Sequence, residues 1–537
     1  MKRILILLLS INGVMANAQS WLSFKQYGGD KADDFRTSIR MPAGEYLVTW
    51  SYNSEFAVFG QDTISVPTWY DYDIGLMKTS SNGDVIWARR FGGANDGPEH
   101  GLDYPTAIAY DGLSNSIFLA GNINGRNAAS GSCDLSQVSL IALDSVGACS
   151  WSVYGLYGYY SGIDDICPDG IGSVYVSGGT TYAGSIGGSV LDSGAFIIKY
   201  DVADGSVKWA RNVLPPRCSI RMEYRGGKIY FVGFSGRPSI TVGSTTLTGF
   251  DSDFLVGRMD TSGTIDWIHR YGGPGVESLP RMRLDAENNI LLSTTFDDSC
   301  RVDTSLFLTG GVKGYLMMKV DSAGNIMWLR NGLSNFSLPI SGSVFTGPDG
   351  AMYANVLLYA PGYFGNDTLV PVAGRQNFLL KYSPQGILMG FIAIDNAVLR
   401  FNDVYVEPTG ELTLWTSFDL TCNIPPYSLV ADGVSDIIMV RHAPIVGIPT
   451  VGQRMANLVV YANPNQGNFR IEVPQRMLRA ERLNLKILDQ QGRIVSETSV
   501  SAIGDRLTIE VGELNSGLYE LLLSDGKQMA RGRVVIE

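Results

Sequence analysis

The chain has 537 residues, a formal net charge of −11 and 63 glycines. That length exceeds one ordinary compact domain, and an ordinary apolar share argues against wholesale disorder. The acidic balance excludes the basic footprint that nucleic-acid binding requires, while abundant glycine with sparse charge suits many short strands joined by tight turns.

The N-terminus reads as a signal peptide over residues 1–18. Lys2 and Arg3 form a basic start, Ile4 to Ile11 an apolar run, and Ala16-Asn17-Ala18 a small-x-small cleavage site before Gln19. The apolar run is too short to span a bilayer, and no transmembrane segment is expected elsewhere.

From there to residue 442 the sequence repeats. The clearest unit is an apolar run, a polar turn, a second run and a terminal tryptophan. It spans Asp73 to Trp87, Gln137 to Trp151, Ala195 to Trp209, Asp253 to Trp267 and Gly314 to Trp328. A sixth copy, Gln376 to Gly390, ends without the tryptophan. Each copy has a glycine four residues before its end: Gly83, Gly147, Gly205, Gly263, Gly324 and Gly386. This pattern predicts β-hairpins whose first strand is covered on both faces and whose turn needs a left-handed residue. The tryptophans are expected to fill gaps between neighbouring sheets. Between hairpins comes a turn followed by an apolar strand, as in Gly44 to Val48, Gly172 to Val176 and Gly227 to Val232. An aromatic-Gly-Gly element appears at Tyr27–Gly29, Phe91–Gly93 and Tyr271–Gly273. Copies three, five and six lack it.

The repeat is about 60 residues long, enough for a four-stranded propeller blade with generous loops. Asp436 to Arg441 looks like a first half-hairpin without a second, and Trp21 to Gly29 like a second half without a first. Pairing the two would close a ring of about seven blades and remove its exposed edges. These motifs resemble the SBBP-type seven-bladed β-propeller repeats of bacterial exported proteins over about residues 21–442. That resemblance implies an architecture and no single activity. The hairpin is also similar to the tryptophan motif of quinoprotein propellers, but those have about eight blades at shorter spacing.

Residues 443–457 read as a linker, and 458–537 as a small antiparallel Ig-like β-sandwich. The ordered set Asn463-Pro464 with Gly467, Asp489 with Gly492-Arg493, then Gly517-Leu518-Tyr519 and a final basic-then-apolar strand resembles the type A C-terminal sorting domain of the Bacteroidetes type IX secretion system. Ala462 stands where that family commonly has proline. The resemblance implies the type IX machinery as a partner. It also implies periplasmic transit with loss of the signal peptide, and release or attachment at the outer-membrane surface.

Catalytic and cofactor motifs are sparse. The histidines, His100, His269 and His442, lie in different repeats with no HExxH spacing, and there is no Walker loop, nucleophile elbow or dinucleotide fingerprint. The six cysteines form no CxxC pair, and their connectivity cannot be deduced. Acidic clusters at Asp30/Asp33/Asp34, Asp71/Asp73, Asp164/Asp165, Asp251/Asp253 and Asp297/Asp298 could hold calcium, though none has an EF-hand or RTX pattern. Solvated turn carboxylates are the simpler reading, and no cofactor is expected. The expected function is an all-β, non-enzymatic binding or adhesion module for a glycan or protein. The alternatives are a polysaccharide hydrolase or lyase with channel carboxylates, and a surface-layer component. Acids and bases with perturbed pKa in a deep central pocket would favour the enzyme, whereas a shallow polar face would favour binding.

Overall fold

The computed structural model describes residues 21–536 except 65–71, 93–102, 131–132, 157–160, 335–342, 365–366, 372–375, 395–402, 425–426, 446–455, 474–476, 478–481, 489–493, 501–505, 513 and 525–528. The signal-peptide segment, His100, Asp71, Asp489, Gly492 and Arg493 therefore lie outside the described residues.

The hairpin units fold because their turns are chemically specified. In five of the third-to-fourth strand connections the glycine amide closes the turn on the carbonyl three residues back, as in Gly263 to Asp260 and Gly324 to Asp321, both 3.0 Å, and Gly205 reaches Asp201, four back. The turn's first side chain accepts further amides: Asp321 Oδ1 takes those of Ala323 (2.9 Å) and Asn325 (2.8 Å). The six repeat glycines have φ between +72° and +95°, which a Cβ would penalise. Each hairpin carries a register shift just before the turn, so one extra residue is absorbed as a bulge.

Two hairpins make one sheet, and five four-stranded and two six-stranded sheets succeed one another along the chain. The first contains Asp33–Arg40, Tyr46–Tyr52, Asp73–Thr79 and Val85–Phe91. The inner strands of the following five begin at Tyr104, Gly162, Cys218, Arg281 and Val344. The seventh is made of Asp403–Val406, Leu412–Ile424, Tyr427–His442 and the N-terminal strand Trp21–Tyr27. That last pairing is antiparallel, with Tyr27 opposite Ile437 and Phe24 opposite Val440. Each inner strand contacts the next, and the seventh contacts the first, so the series closes.

The core lies between the sheets. A separate buried cluster fills each of the seven seams, from Leu47, Ile74 and Leu119 between the first two sheets to Tyr46, Trp50, Trp415 and Met439 between the seventh and the first. No α-helix occurs among the described residues. The all-β propeller-like class is thus the one the sequence implied. Beyond the last propeller strand, Ile445 is still buried in the cluster between the sixth and seventh sheets.

The C-terminal segment forms a five-stranded and a three-stranded sheet. Their facing residues, including Phe469, Ile471 and Leu507 from the smaller and Leu485, Ile487 and Leu521 from the larger, share a core of their own.

Candidate functional site

Two arrangements recur around the ring, and a third sits on its axis. The first concerns the tryptophans. Trp87, Trp151, Trp209, Trp267 and Trp328 each donate the indole N–H to a main-chain carbonyl in the turn of the following sheet: Ser145, Val202, Thr261, Ser322 and Pro384, at 2.9–3.2 Å. Each ring lies over that turn's glycine, where an added Cβ would come within 2.6–3.3 Å of it. The sixth copy lacks tryptophan at Gly390 because the seventh sheet has no such turn: its last hairpin is the junction between the chain's two ends. At the first turn, facing the closing strand, Tyr27 donates its hydroxyl to Gly83 O at 2.5 Å instead.

The second arrangement explains the aromatic-Gly-Gly element. A Cβ on Gly28, Gly92 or Gly272 would overlap Oδ1 of Asp436, Asp73 or Asp253 respectively; Asp73 and Asp253 open the third strand of their sheets, and Asp436 lies within the third strand of the seventh, Tyr427–His442. In the other four sheets the corresponding hairpin begins with Gln137, Ala195, Gly314 or Gln376, and the element is absent, from the second copy as well as from the third, fifth and sixth. A second buried acid accompanies each latch: Asp33, Asp103 and Glu277. The main-chain amides of Asp103 and Glu277 bond to the carbonyls just before Asp73 and Asp253, both at 3.0 Å.

The third arrangement lines the axis. The inner strands have one edge without a ladder partner, and carboxylates from neighbouring sheets bond to its amides. Asp165 accepts from Met222 N (3.1 Å), Glu223 from Leu284 N (2.9 Å) and Asp403 from Ser38 N (2.6 Å). Arg221, Arg281 and Arg283 stand among them, with Arg283 Nη1 3.5 Å from Glu223 Oε1. Asp164 and Asp165 are successive residues at a β-bulge in Gly162–Pro168, which lets both carboxyls interact with Arg221. Solvent reaches this set, since Arg283 keeps 49% of its side chain exposed. Enclosure still perturbs it. Burial, and then Asp165, push Asp164 up to about 6. Burial, with Arg221 and Arg283, brings Arg281 down to about 10. Asp165, Glu223 and Asp403 are also raised, by burial first.

The acidic pairs of the sequence thus part company. Asp164 and Asp165 reach the channel, Asp33, Asp73 and Asp253 are buried at seams, and Asp297 pairs with Lys313. Buried seam acids replace the solvated turn carboxylates expected at Asp33, Asp73 and Asp253. His269 stacks near Trp267 and Tyr271, while His442 is buried against Trp21 in a different sheet. Among the described residues no three acidic, histidine or cysteine side chains converge as a metal-ligand group. Cys149 is disulfide-bonded, and Cys167, Cys218, Cys300 and Cys422 are buried free thiols. The channel arginines carried no sequence signal, since Arg221 lies on Cys218–Arg225 and Arg281 and Arg283 on Arg281–Leu284, with no motif around either.

In the tail, the Asn463–Gly467 turn clasps the final strand. Asn463 Oδ1 accepts Val535 N (2.7 Å), and Asn463 Nδ2 donates to Arg533 O (3.0 Å). Asn465 Oδ1 accepts Gly467 N at 2.8 Å. Ala462 sits at φ +60°, which proline cannot adopt, so the departure from the family's proline matches the local backbone. Tyr519 is buried and donates its hydroxyl to Asn515 O at 2.7 Å, two residues before Gly517. The Leu518 side chain lies outside the described set.

Fold and tail together define a β-propeller-like protein carrying an export address. Residues 459–537 match the family model of the secretion system C-terminal sorting domain, which marks a protein secreted or displayed through the type IX system. The chain matches no curated protein. Among solved structures it is similar to BamB from Moraxella catarrhalis, at 13% identity over 77% of this chain and 100% of that one, with a TM-score of 0.31. It is also similar to a duf4221 member from Bacteroides vulgatus, at 10% identity, 80% and 98% coverage and a TM-score of 0.32. A Trypanosoma rangeli sialidase mutant matches at 9% identity, 96% and 88% coverage and a TM-score of 0.35. These likenesses concern fold and carry no argument about activity. Among the described residues no helix is long and apolar enough to cross a membrane.

Proposed function

We propose that this is a non-enzymatic binding propeller, exported by the type IX system, that holds an anionic group of a glycan or protein ligand at its channel. Residues 1–18 are removed on export, and the stretch 443–457 links propeller to sorting domain. The observation that carries the reading is the division of labour on the inner strands. Asp165, Glu223 and Asp403 are engaged with main-chain amides of neighbouring sheets and Arg283 pairs with Glu223, whereas Arg281 is crowded by Arg221 and Arg283. Arg281, crowded by Arg221 and Arg283, gains from a bound anion, and arginine's planar fork suits a carboxylate or sulfate. The test is a binding-and-cleavage screen of the mature chain against neutral, uronate-bearing and sulfated polysaccharides. Retention of acidic polymers without turnover, weakened about tenfold or more in R281A, is the expected result. Equal retention of neutral polymers would sink the reading.

One feature supports an enzymatic reading. Asp164, raised to about 6, is suited to proton transfer near neutral pH. Turnover of any polysaccharide that disappears in D164N would establish that reading and displace the first.

A further inference from the structure

The inner strands are stitched together in one direction, and the stitching stops at the fifth sheet. Among the described residues, four side chains of one inner strand accept a main-chain amide of the next. Asp165 takes that of Met222, Cys167 that of Tyr224, Glu223 that of Leu284 and Asp403 that of Ser38. The hairpin registers bring the strands into line. Tyr224, Leu284 and Thr346 hold the same place, opposite Ile229, Ile290 and Met352. The accepting side chains stand one residue before that place (Cys167, Glu223) or three before it (Asp165, Asp403). In the fifth sheet those two positions are Arg283 and Arg281, and in the fourth the second is Arg221.

A guanidinium cannot accept an amide. Three donors are therefore left over at the axis, the main-chain N–H groups of Met282, Val344 and Thr346. Their own hairpins do not use them. Asp285 N bonds Asn289 O (3.0 Å), Gly347 N bonds Ala351 O (2.8 Å) and Asn355 N bonds Ser343 O (3.1 Å). Alternation along the ladder from those pairs turns Met282, Val344 and Thr346 away from their partners and towards the preceding sheet. By the same register Arg281 faces Val344 and Arg283 faces Thr346. Arg221 Nε is buried without a hydrogen-bond partner. Glu223, which pairs with Arg283, is already engaged with Leu284 N. Guanidinium and main-chain donors thus converge where the sister junctions supply a carboxylate.

We propose that this junction of the fifth and sixth sheets is a subsite for the carboxylate of a uronic acid residue. It is the site of the binding propeller already proposed, and rests on that reading. One carboxylate oxygen takes the amide of Val344 or Thr346, as Glu223 and Asp403 take theirs elsewhere, and the other takes Arg281. Asp164 and Asp165 lie close enough to interact with Arg281, so acceptor oxygens flank the subsite. A group that carries hydroxyl donors beside its carboxylate matches that lining, and a uronic acid does.

The test is amide hydrogen exchange of the full mature chain, read residue by residue, with and without oligogalacturonate. Exchange at Val344 and Thr346 should slow about tenfold or more on binding. Met222 and Leu284, whose amides already have side-chain acceptors, should not change. R281D, which places there the residue of the third and seventh sheets, should lose oligogalacturonate retention and melt no lower than R281A. Retention of oligogalacturonate with unchanged exchange at Val344 and Thr346 overturns the subsite and leaves the binding reading standing. No retention of any acidic polymer overturns both. Equal or greater slowing by a sulfated oligosaccharide or by polyglutamate overturns the uronate assignment. Exchange in the wild type keeps the test decisive should R281D not fold.

Discussion

The indole N–H of Trp328 donates to the main-chain carbonyl of Pro384, 2.9 Å away in the next sheet, and its ring covers Gly386 in the same turn. This one contact joins two features that recur in the sequence about 58 residues apart. The tryptophan of one repeat and the glycine of the following repeat are halves of a single joint. Trp328→Phe keeps most of the covering area and loses the hydrogen bond, costing about 1 kcal/mol. Trp328→Ala removes both and costs about 3 kcal/mol. Gly390→Trp, which restores the consensus residue in the sixth copy, should add no stability, because no turn faces it. Urea unfolding midpoints of the three variants check the set, and a stabilising Gly390→Trp would contradict this account of the joint.

Glu277 makes the propeller's stability depend on pH. It is buried beside Asp253, and burial first, then that charge, push its carboxyl up to about 8. The folded state therefore holds a proton that the unfolded chain releases near the ordinary glutamate range. Stability is complete below about pH 4.5 and declines as pH rises towards 8, by up to a few kcal/mol. Glu277→Gln should flatten that decline and leave the variant more stable than wild type at pH 8. Melting temperatures between pH 5 and 8.5 decide it, and parallel curves for the two proteins would refute the assignment.

The glycines of the aromatic-Gly-Gly bends should not tolerate a methyl group. Gly272→Ala places a Cβ on the carboxylate of Asp253, which Arg270 holds in place. A loss of about 2 kcal/mol is expected. Gly162→Ala on a neighbouring inner strand, where nothing lies within 4 Å of the added carbon, should cost less than 1 kcal/mol. Thermal melts of the pair test the contrast.

Truncation should separate address from propeller. A chain ending after Ile445 keeps that residue in the cluster between the sixth and seventh sheets and should melt as the full propeller does. Ending after Arg441 removes His442 and Ile445 and should lower the melting temperature by several degrees. In cells, loss of 459–537 should leave the protein in the periplasm, and undiminished release would show that export does not use this domain.

Much of this architecture was legible along the chain. The hairpin period, the turn glycines and the orphan half-hairpins at the two ends announce a closed all-β repeat, because turn chemistry and strand covering are local. The link between aspartate and aromatic-Gly-Gly was also present: Asp73 and Asp253 begin the hairpins that end in the element, and Asp436 the half-hairpin whose second half carries it, though its meaning needed the contact of Asp253 with Gly272. The channel set was not legible. Asp165, Glu223, Arg281 and Asp403 come from four sheets, and only the closure of the ring brings them together.

By itself, then, the sequence determined the repeat unit, the export address at 459–537 and the absence of a familiar catalytic motif. Tertiary structure decided which charges meet. Strand and turn identity follow from interactions a few residues apart, whereas the arginines of the channel and the buried acids Asp33 and Asp436 at the closing seam depend on contacts across as many as 410 residues. They exist only because the N-terminal strand returns to complete the last sheet.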